Sequence, residues 1–192
     1  MAVLLVPVVV VKAQLRNFMK NVSFFSIILV FFTISSSGQK KLDKLLKEYN
    51  TDSIPYITAK ALGKISHQVL ILDAREPEEY EVSHLKDAIN VGYDNFSLDS
   101  ISAILPGNKN KQIVVYCSLG IRSETIGLKL KKAGFKNVMN LYGGIFEWKN
   151  DDFPIYNSEG NETDSVHVFS KEWSTWLKKG NKVIPDTLRT ND

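Results

Sequence analysis

Short apolar runs alternate with helix-like segments between residues 69 and 150, and this alternation constrains the fold more than any other feature. The predicted strands are Val69–Leu72, Ala88–Val91, Gln112–Tyr116 and Val138–Leu141, and the predicted helices are Leu98–Leu105, Ser123–Ala133 and Ile145–Asn150. Continuous apolar runs of this length are typical of strands buried on both faces. The pattern therefore predicts an α/β fold with a mainly parallel central sheet flanked by helices.

Further elements flank this region. Gln39–Asn50 predicts a helix with Leu42, Leu45, Leu46 and Tyr49 on one face, and Thr58 is the predicted cap of a second helix. After a polar, turn-rich stretch from Tyr156, Val166–Phe169 resembles a strand. Lys171–Lys179 predicts a helix with Trp173, Trp176 and Leu177 on one stripe, a spacing more typical of core packing than of cofactor binding.

Composition and charge exclude several classes of protein. With 44% apolar and 23% charged residues among 192, the chain is not collagen-like or disordered. Three of the 24 basic side chains, Lys12, Arg16 and Lys20, lie in residues 1–38, which contain no acid. The other 21 balance the 21 acidic side chains, so no general attraction to nucleic acid is expected. The three histidines are scattered, and no metal site is expected.

The first 38 residues have the features of an export leader. The apolar run Val22–Ile34 follows Met19 and Lys20, and it is shorter than the roughly 20 residues that span a bilayer. Small residues up to Gly38 then form a plausible cleavage site. We predict an export signal that starts at Met19 and is cleaved near Gly38, which would place the protein in the periplasm or outside the cell. The alternative is an uncleaved membrane anchor.

The only cysteine of the chain, Cys117, ends the most convincing predicted strand. A single thiol excludes an internal disulfide. The loop that follows contains Gly120 and Arg122 and leads into a predicted helix, a corner where α/β sheets bind ligands. Loop amides and a helix N-terminus favour the thiolate, glycine permits a tight loop, and arginine can hold an oxyanion. These features predict a reactive thiol rather than an inert buried one.

The sequence CSLGIRS, preceded by LDAREPEEYEVSHLKDAINV and followed by LYGGIFEW, closely resembles the single-domain rhodanese-like sulfurtransferases. The resemblance extends from about Ile54 to Ile155. It implies that residues 54–155 form a rhodanese-like domain. The residue patterns outside it predict a signal or leader (1–38), an N-terminal helix (39–53) and a C-terminal extension packed on the domain (156–192). The resemblance also implies that Cys117 carries a persulfide and that the active-site loop contributes Ser118, Leu119, Gly120, Ile121 and Arg122.

The resemblance assigns supporting roles to residues outside the loop. Asp73 and Arg75 match the family's Asp-x-Arg and are expected to form an ion pair rather than transfer protons. His84 matches the family's histidine and is expected to be structural. Ser83 and Asp87 stand where the family usually has glycines, which leaves the local turn geometry open. The six-residue loop is one residue shorter than that of related phosphatases and arsenate reductases.

These observations predict a sulfurtransferase that moves a sulfane sulfur from thiosulfate or a persulfide to a thiol or cyanide acceptor, without a metal or organic cofactor. Two alternatives stay open. One is a non-enzymatic sulfur relay in which a protein partner supplies or accepts the sulfur and docks on Trp173 and Trp176. The other is a phosphatase or arsenate reductase of the same fold, which the short loop disfavours.

Overall fold

The computed structural model describes residues 38–184. These belong to two compact units, one that ends at Leu45 and one that starts at Leu46. Helix α1 covers residues 38–49. The predicted leader lies outside the described residues except for Gly38, so the export signal stays a prediction. Among residues 38–184, no helix is both long enough and apolar enough to cross a bilayer.

A five-stranded parallel sheet forms the centre of the second unit. Its strands are β1 (Tyr56–Ile57), β2 (Leu70–Asp73), β3 (Ile89–Asn90), β4 (Gln112–Tyr116) and β5 (Asn137–Leu141), in the order β1-β5-β4-β2-β3. Central strand β4 pairs with β2 and β5, and Ile113, Val114, Val115 and Tyr116 are fully buried. The predicted α/β fold with a mainly parallel sheet is confirmed, and each predicted strand lies within two residues of an observed one.

Five helices follow the sheet strands along the chain. They are α2 (Ala59–Ile65), α3 (Pro77–Val82), α4 (Leu98–Ile104), α5 (Arg122–Lys132) and α6 (Gly144–Asn150). As predicted, the Thr58 hydroxyl caps α2 by accepting the Ala61 N–H at 3.2 Å. Pro77 opens α3, where Glu76 and Glu79 form a reciprocal capping box. Side chains of α4 and α5, including Ile101, Ile126 and Leu130, pack with Leu72, Ile113 and Val115 in the main core.

The C-terminal part contains short elements, and one of them corrects a prediction. Strands β6 (Ile155–Tyr156) and β7 (Glu162–Thr163) pair antiparallel, and β8 (Ser165–His167) and β9 (Asn181–Val183) pair parallel. The helix predicted over Lys171–Lys179 is wrong, because only a 3₁₀ turn, Trp173–Trp176, forms.

The side chain of Asn150 explains this difference. Its Nδ2 donates to the Trp176 carbonyl at 3.0 Å, and its Oδ1 accepts the Lys178 N–H at 2.8 Å. Backbone groups that a continuing helix would use are therefore bonded to a side chain of α6. Leu177 is nevertheless buried, as predicted, whereas Trp173 and Trp176 are half-buried.

Candidate active site at the Cys117 loop

Cys117 follows β4 directly, and the loop ends where α5 begins at Arg122. Gly120 has a φ of 102°, which an L side chain rarely adopts, and an added Cβ would lie 3.2 Å from the Leu141 carbonyl. Gly144, at the start of α6, approaches the loop even more closely, because its added Cβ would meet the Cys117 carbonyl. Two glycines therefore shape the loop and the backbone packed against it.

Hydrogen-bond donors surround the sulfur of Cys117, which is 2% exposed. The Gly120 N–H donates to Sγ at 3.1 Å, and the Ser123 hydroxyl lies 3.5 Å away. Burial by itself raises the pKa of Cys117, but the Arg122 charge and hydrogen bonds from Ser123 and Gly120 outweigh it. The pKa therefore lies below its ordinary value, and the thiolate is favoured.

A buried polar network holds the loop from the side of β5. Ser123 donates to Asn140 Oδ1 at 2.7 Å, and Asn140 Nδ2 donates to the Gly120 carbonyl at 2.8 Å. Asn50 donates to the same carbonyl at 2.8 Å. Anchoring this carbonyl holds the loop in the shape that brings the Gly120 N–H to Sγ.

Arg122 is paired with a residue that sequence analysis missed. Its Nη1 and Nη2 donate to the two carboxylate oxygens of Glu79 at 2.6 and 2.8 Å, and Nη2 also donates to Ser118 Oγ at 3.1 Å. The Glu79 side chain is 3% exposed. Burial alone would raise the pKa of Glu79, but His167, 3.8 Å away, and Arg122 hold that pKa well below its ordinary value. Oxyanion binding by Arg122 stays a prediction, and its positive charge is largely balanced.

The predicted ion pair between Asp73 and Arg75 is present and fully buried. Arg75 Nε donates to Asp73 Oδ1 at 3.0 Å, Nη2 donates to Oδ2 at 2.6 Å, and Nη2 also donates to the Ser83 carbonyl at 2.6 Å. The guanidinium lies 5.5 Å from the ring centre of Tyr116, the residue before Cys117. The pair therefore supports the end of β4 from within the fold.

His84 makes contacts typical of a structural residue. Its ring stacks on Tyr80 at 3.9 Å, its Nδ1 lies 3.1 Å from the Tyr80 carbonyl, and its backbone bonds to Tyr156. Of the two residues that replace family glycines, Asp87 adopts a left-handed φ of 58°, whereas Ser83 is extended. Only the Asp87 position therefore has the conformation that favours glycine.

A cavity of about 220 Å³ opens above Cys117. Loop residues Ser118, Leu119, Ile121 and Arg122 line it together with the thiol. Three aromatic residues complete its lining, Tyr49, Phe169 and Trp173. We call these three the aromatic wall. Sequence analysis placed Tyr49 on one helical face with three leucines, and its side chain is 57% exposed.

Sequence analysis did not assign three residues of the site, and only one of them has a local sequence signal. Ser123 is adjacent to the loop at a helix start, which is a usable local signal. Glu79 and Asn140 reach the loop from other elements, 43 residues from Arg122 and 17 from Ser123 respectively. Within residues 38–184, no three His, Cys, Asp or Glu side chains are grouped to hold a metal ion.

A parallel α/β sheet with a lone cysteine in a six-residue loop before a helix defines a class of reactive-cysteine α/β domains. Residues 58–151 match the family model of the rhodanese-like domain. The chain therefore contains a rhodanese-like domain, which confirms the predicted resemblance. The aromatic wall lies outside the matched residues.

The matched relatives are longer proteins that share only one region with this chain. The chain is 38% identical over 97 residues to the tRNA uridine(34) hydroxylase of Photorhabdus laumondii, which covers 48% of this chain and 28% of the relative. It is 36% identical over 118 residues to the protein of the same name from Aster yellows witches'-broom phytoplasma, covering 60% and 37%. The chain thus spans only about a third of these relatives. The thiosulfate sulfurtransferase structure from Pseudomonas aeruginosa, at 19% identity and a TM-score of 0.52, shares the fold over 73% of this chain and 26% of that one.

Proposed function

We propose that this protein is a sulfurtransferase that carries a sulfane sulfur as a persulfide on Cys117. The observation that carries the proposal is the convergence of the Gly120 N–H and the Ser123 hydroxyl on a buried sulfur at the base of a cavity. This setting lowers the pKa of the thiol below its ordinary value. The same donors can stabilise the persulfide anion after sulfur has been accepted.

The reaction has two halves. The Cys117 thiolate attacks the outer sulfur of the donor, a new S–S bond forms, and the donor's bond to that sulfur breaks. The electron pair leaves with the remainder of the donor, as sulfite from thiosulfate or as a thiolate from a persulfide. An acceptor thiolate or cyanide then attacks the outer sulfur of the Cys117 persulfide and regenerates the thiolate. Such covalent catalysis implies ping-pong kinetics.

The charge balance of the loop supports sulfur transfer over phosphoryl or arsenate chemistry. The transition state of phosphoryl transfer spreads negative charge over several oxygens and needs converging cations or amides. Here the guanidinium of Arg122 is engaged by Glu79. The Gly120 N–H is directed to the sulfur, and the Ser123 hydroxyl lies between the sulfur and Asn140. We therefore place phosphatase and arsenate reductase activity behind sulfur transfer.

A non-enzymatic sulfur relay is the second candidate, and it is favoured by the position of Trp173 in the lining of the cavity that contains the thiol. In that case Cys117 would accept sulfur only from a protein partner. Hydroxylation of tRNA, the activity named for the relatives, belongs to proteins of which the matched region is only 28% to 37%. We assign the shared domain sulfur handling and not the whole relatives' reaction.

The decisive experiment combines mass spectrometry and a turnover assay. Incubation with thiosulfate should add one sulfur to Cys117, and cyanide should remove it as thiocyanate. Cys117→Ser, with Ser158→Ala as an exposed control away from the loop, should abolish both signals while the melting temperature stays close to that of wild type. Residual turnover above a few per cent in Cys117→Ser would refute the covalent mechanism. If thiosulfate adds no sulfur to Cys117 but the protein as isolated already carries one, the relay would be favoured.

We also propose that the protein acts outside the cytoplasm. The support is the basic, acid-free leader with its apolar run before Gly38. When the chain is expressed from Met19, Edman sequencing of the recovered protein should start near Gln39. An intact Met19 in the membrane fraction would indicate an anchor instead.

A further inference from the structure

The aromatic wall connects two segments that flank the family domain. Trp173 is its centre, with ring centres 6.4 Å from those of both Tyr49 and Phe169. Tyr49 lies at the end of α1, whereas Phe169 and Trp173 follow β8. None of the three lies in residues 58–151, so the wall is an addition of this chain to the rhodanese-like domain.

Two side chains of the aromatic wall are exposed to solvent, although large aromatic side chains are usually buried. Tyr49 is 57% and Phe169 46% exposed, and both line the cavity that contains the thiol. Phe169 also adopts a φ of 61°, an uncommon conformation for a bulky residue. Exposed aromatic side chains around a cavity gain free energy when an apolar group covers them.

The only cationic side chain that lines the cavity already has a partner. Arg122 is paired with Glu79, and its guanidinium lies 4.9 Å from the ring centre of Phe169. A dianionic donor such as thiosulfate would exchange its water shell for apolar walls and a neutralised cation. Burying charge under those conditions is unfavourable.

The size of the cavity suits a small ring. Apolar protein cavities of about 150 Å³ accept benzene, and this one measures about 220 Å³. An aromatic or branched aliphatic group would contact Tyr49 and Trp173 while its terminal sulfur reaches Cys117. The edge-on arrangement of Phe169 and Trp173, at 87°, presents ring edges and faces of the kind that aromatic ligands contact.

We propose that the aromatic wall selects sulfur donors whose transferable sulfur is attached to an uncharged aromatic or branched apolar group, in preference to thiosulfate. This inference rests on the proposed sulfurtransferase function and names its substrate class. For an aryl hydropersulfide, the Cys117 thiolate attacks the outer sulfur and the donor's S–S bond breaks. The aryl thiolate leaves with the electron pair, and the proton stays on the sulfur now bound to Cys117.

Two thiosulfonate anions isolate the contribution of the wall. Methanethiosulfonate and benzenethiosulfonate deliver the same terminal sulfur and release a sulfinate, so they differ only in the apolar group. Second-order rate constants for persulfide formation on Cys117 are measured by quenched mass spectrometry, with thiosulfate as a third donor. Each ratio is divided by the corresponding ratio for a free thiol, which removes the difference in intrinsic reactivity.

Wild type should favour the benzene compound over the methane compound by about tenfold beyond the free thiol, the scale at which apolar pockets discriminate. Trp173→Ala and Tyr49→Ala should each lower this preference to about threefold or less. Trp176→Ala is the matched control, because this half-buried residue of the same turn does not line the cavity. It should keep the full preference. Melting temperatures identify any variant that fails to fold, and exposed Tyr49 is the safer of the two sites.

The outcomes separate the two proposals. Equal corrected rates for both thiosulfonates in wild type would assign the wall to a protein partner or to no ligand, and would overturn this inference while the proposed function stands. An equal loss of preference in Trp176→Ala and Trp173→Ala would also overturn it. If no donor, thiosulfate included, adds sulfur to wild-type Cys117, the proposed function itself fails and the inference with it.

Discussion

Replacement of Glu79 by glutamine tests how the charge beside the loop is used. The Glu79 carboxylate accepts two hydrogen bonds from Arg122, at 2.6 and 2.8 Å, and one from Ser118 at 3.2 Å. Its Oε2 also accepts the Glu76 N–H at 3.1 Å. Glutamine keeps the volume of the side chain but removes the charge and one acceptor, so Arg122 loses its counterion in a buried setting.

The structure sets the size of the expected loss. Removal of one partner of a buried ion pair costs about 3–5 kcal/mol. The Arg122 side chain keeps 17% exposure and contacts the face of Phe169, so we expect the lower end, about 3 kcal/mol. For a domain of this size, each kcal/mol corresponds to about 2–4 °C, so the melting temperature should fall by about 6–12 °C.

The same substitution should move the pKa of Cys117 in an informative direction. After burial, the Arg122 charge is the largest influence on this thiol, and it lowers the pKa. Without the Glu79 carboxylate to balance it, Arg122 should lower the pKa of Cys117 further. General loosening of the site would instead hydrate the thiol and weaken its hydrogen bonds, which would return the pKa toward its ordinary value. Lower stability together with a lower Cys117 pKa is therefore specific to this charge arrangement.

Both quantities are directly measurable. Thiolate absorbance during a pH titration reports Cys117 alone, because the chain has one cysteine. Thermal unfolding should be followed at several pH values. The folded-state pKa of Glu79 is lowered, so its stabilisation is present above the unfolded value of about 4.3 and is lost as the pH falls below that value. The difference in stability between wild type and Glu79→Gln should therefore shrink on acidification.

Glu78→Gln is the matched control, since Glu78 is an exposed acid in the same helix. It should leave the melting temperature and the Cys117 titration nearly unchanged. A melting temperature of Glu79→Gln within about 2 °C of wild type, or a Cys117 pKa that rises, would refute the reasoning.

Three further predictions concern the loop and its support. Gly144→Ala should abolish persulfide formation because its Cβ would overlap the Cys117 carbonyl, and full activity in this variant would contradict the prediction. The control is Gly134→Ala, which is also at positive φ but has open space around its Cβ, and it should only lower the melting temperature. Ser123→Ala should raise the pKa of Cys117 by about one unit or less, because the hydroxyl is 3.5 Å from Sγ and 2.7 Å from Asn140. The pKa is measured from the thiolate absorbance, and a pKa that does not rise would exclude a role for the Ser123 hydroxyl. Asp73→Asn should lower the free energy of unfolding, measured in urea, by about 3–5 kcal/mol. The exposed Asp99→Asn is the control, and a loss under about 1 kcal/mol in Asp73→Asn would show that the buried pair with Arg75 is dispensable.

Local signals explain why much of the site was predictable. The strand Gln112–Tyr116 is a continuous apolar run, and Cys117, Gly120 and Arg122 follow it within one short stretch. Strand, loop and helix start are contiguous in the chain, so their order alone places the cysteine at the carboxyl end of a parallel strand. The pair of Asp73 and Arg75 was predicted from the match to the family's Asp-x-Arg, and the structure shows the pair buried.

Contacts between distant elements were not predictable in this way. Glu79 reaches Arg122 because α3 follows β2, and β2 pairs with β4 in the sheet. Asn140 reaches the loop because β5 is the other neighbour of β4. The helix predicted over Lys171–Lys179 failed because Asn150, from another element, binds its backbone.

The sequence by itself determined the alternating α/β order, the cysteine loop and the glycine that permits its shape, because each depends on hydrophobic pattern or backbone freedom within a few residues. The tertiary structure decided the electrostatics and the lining of the site. Whether Arg122 is a free cation or a paired one, and whether Tyr49 and Trp173 are core or cavity residues, depends on which elements become neighbours. That choice follows from strand order and packing over the whole domain, and no local pattern records it.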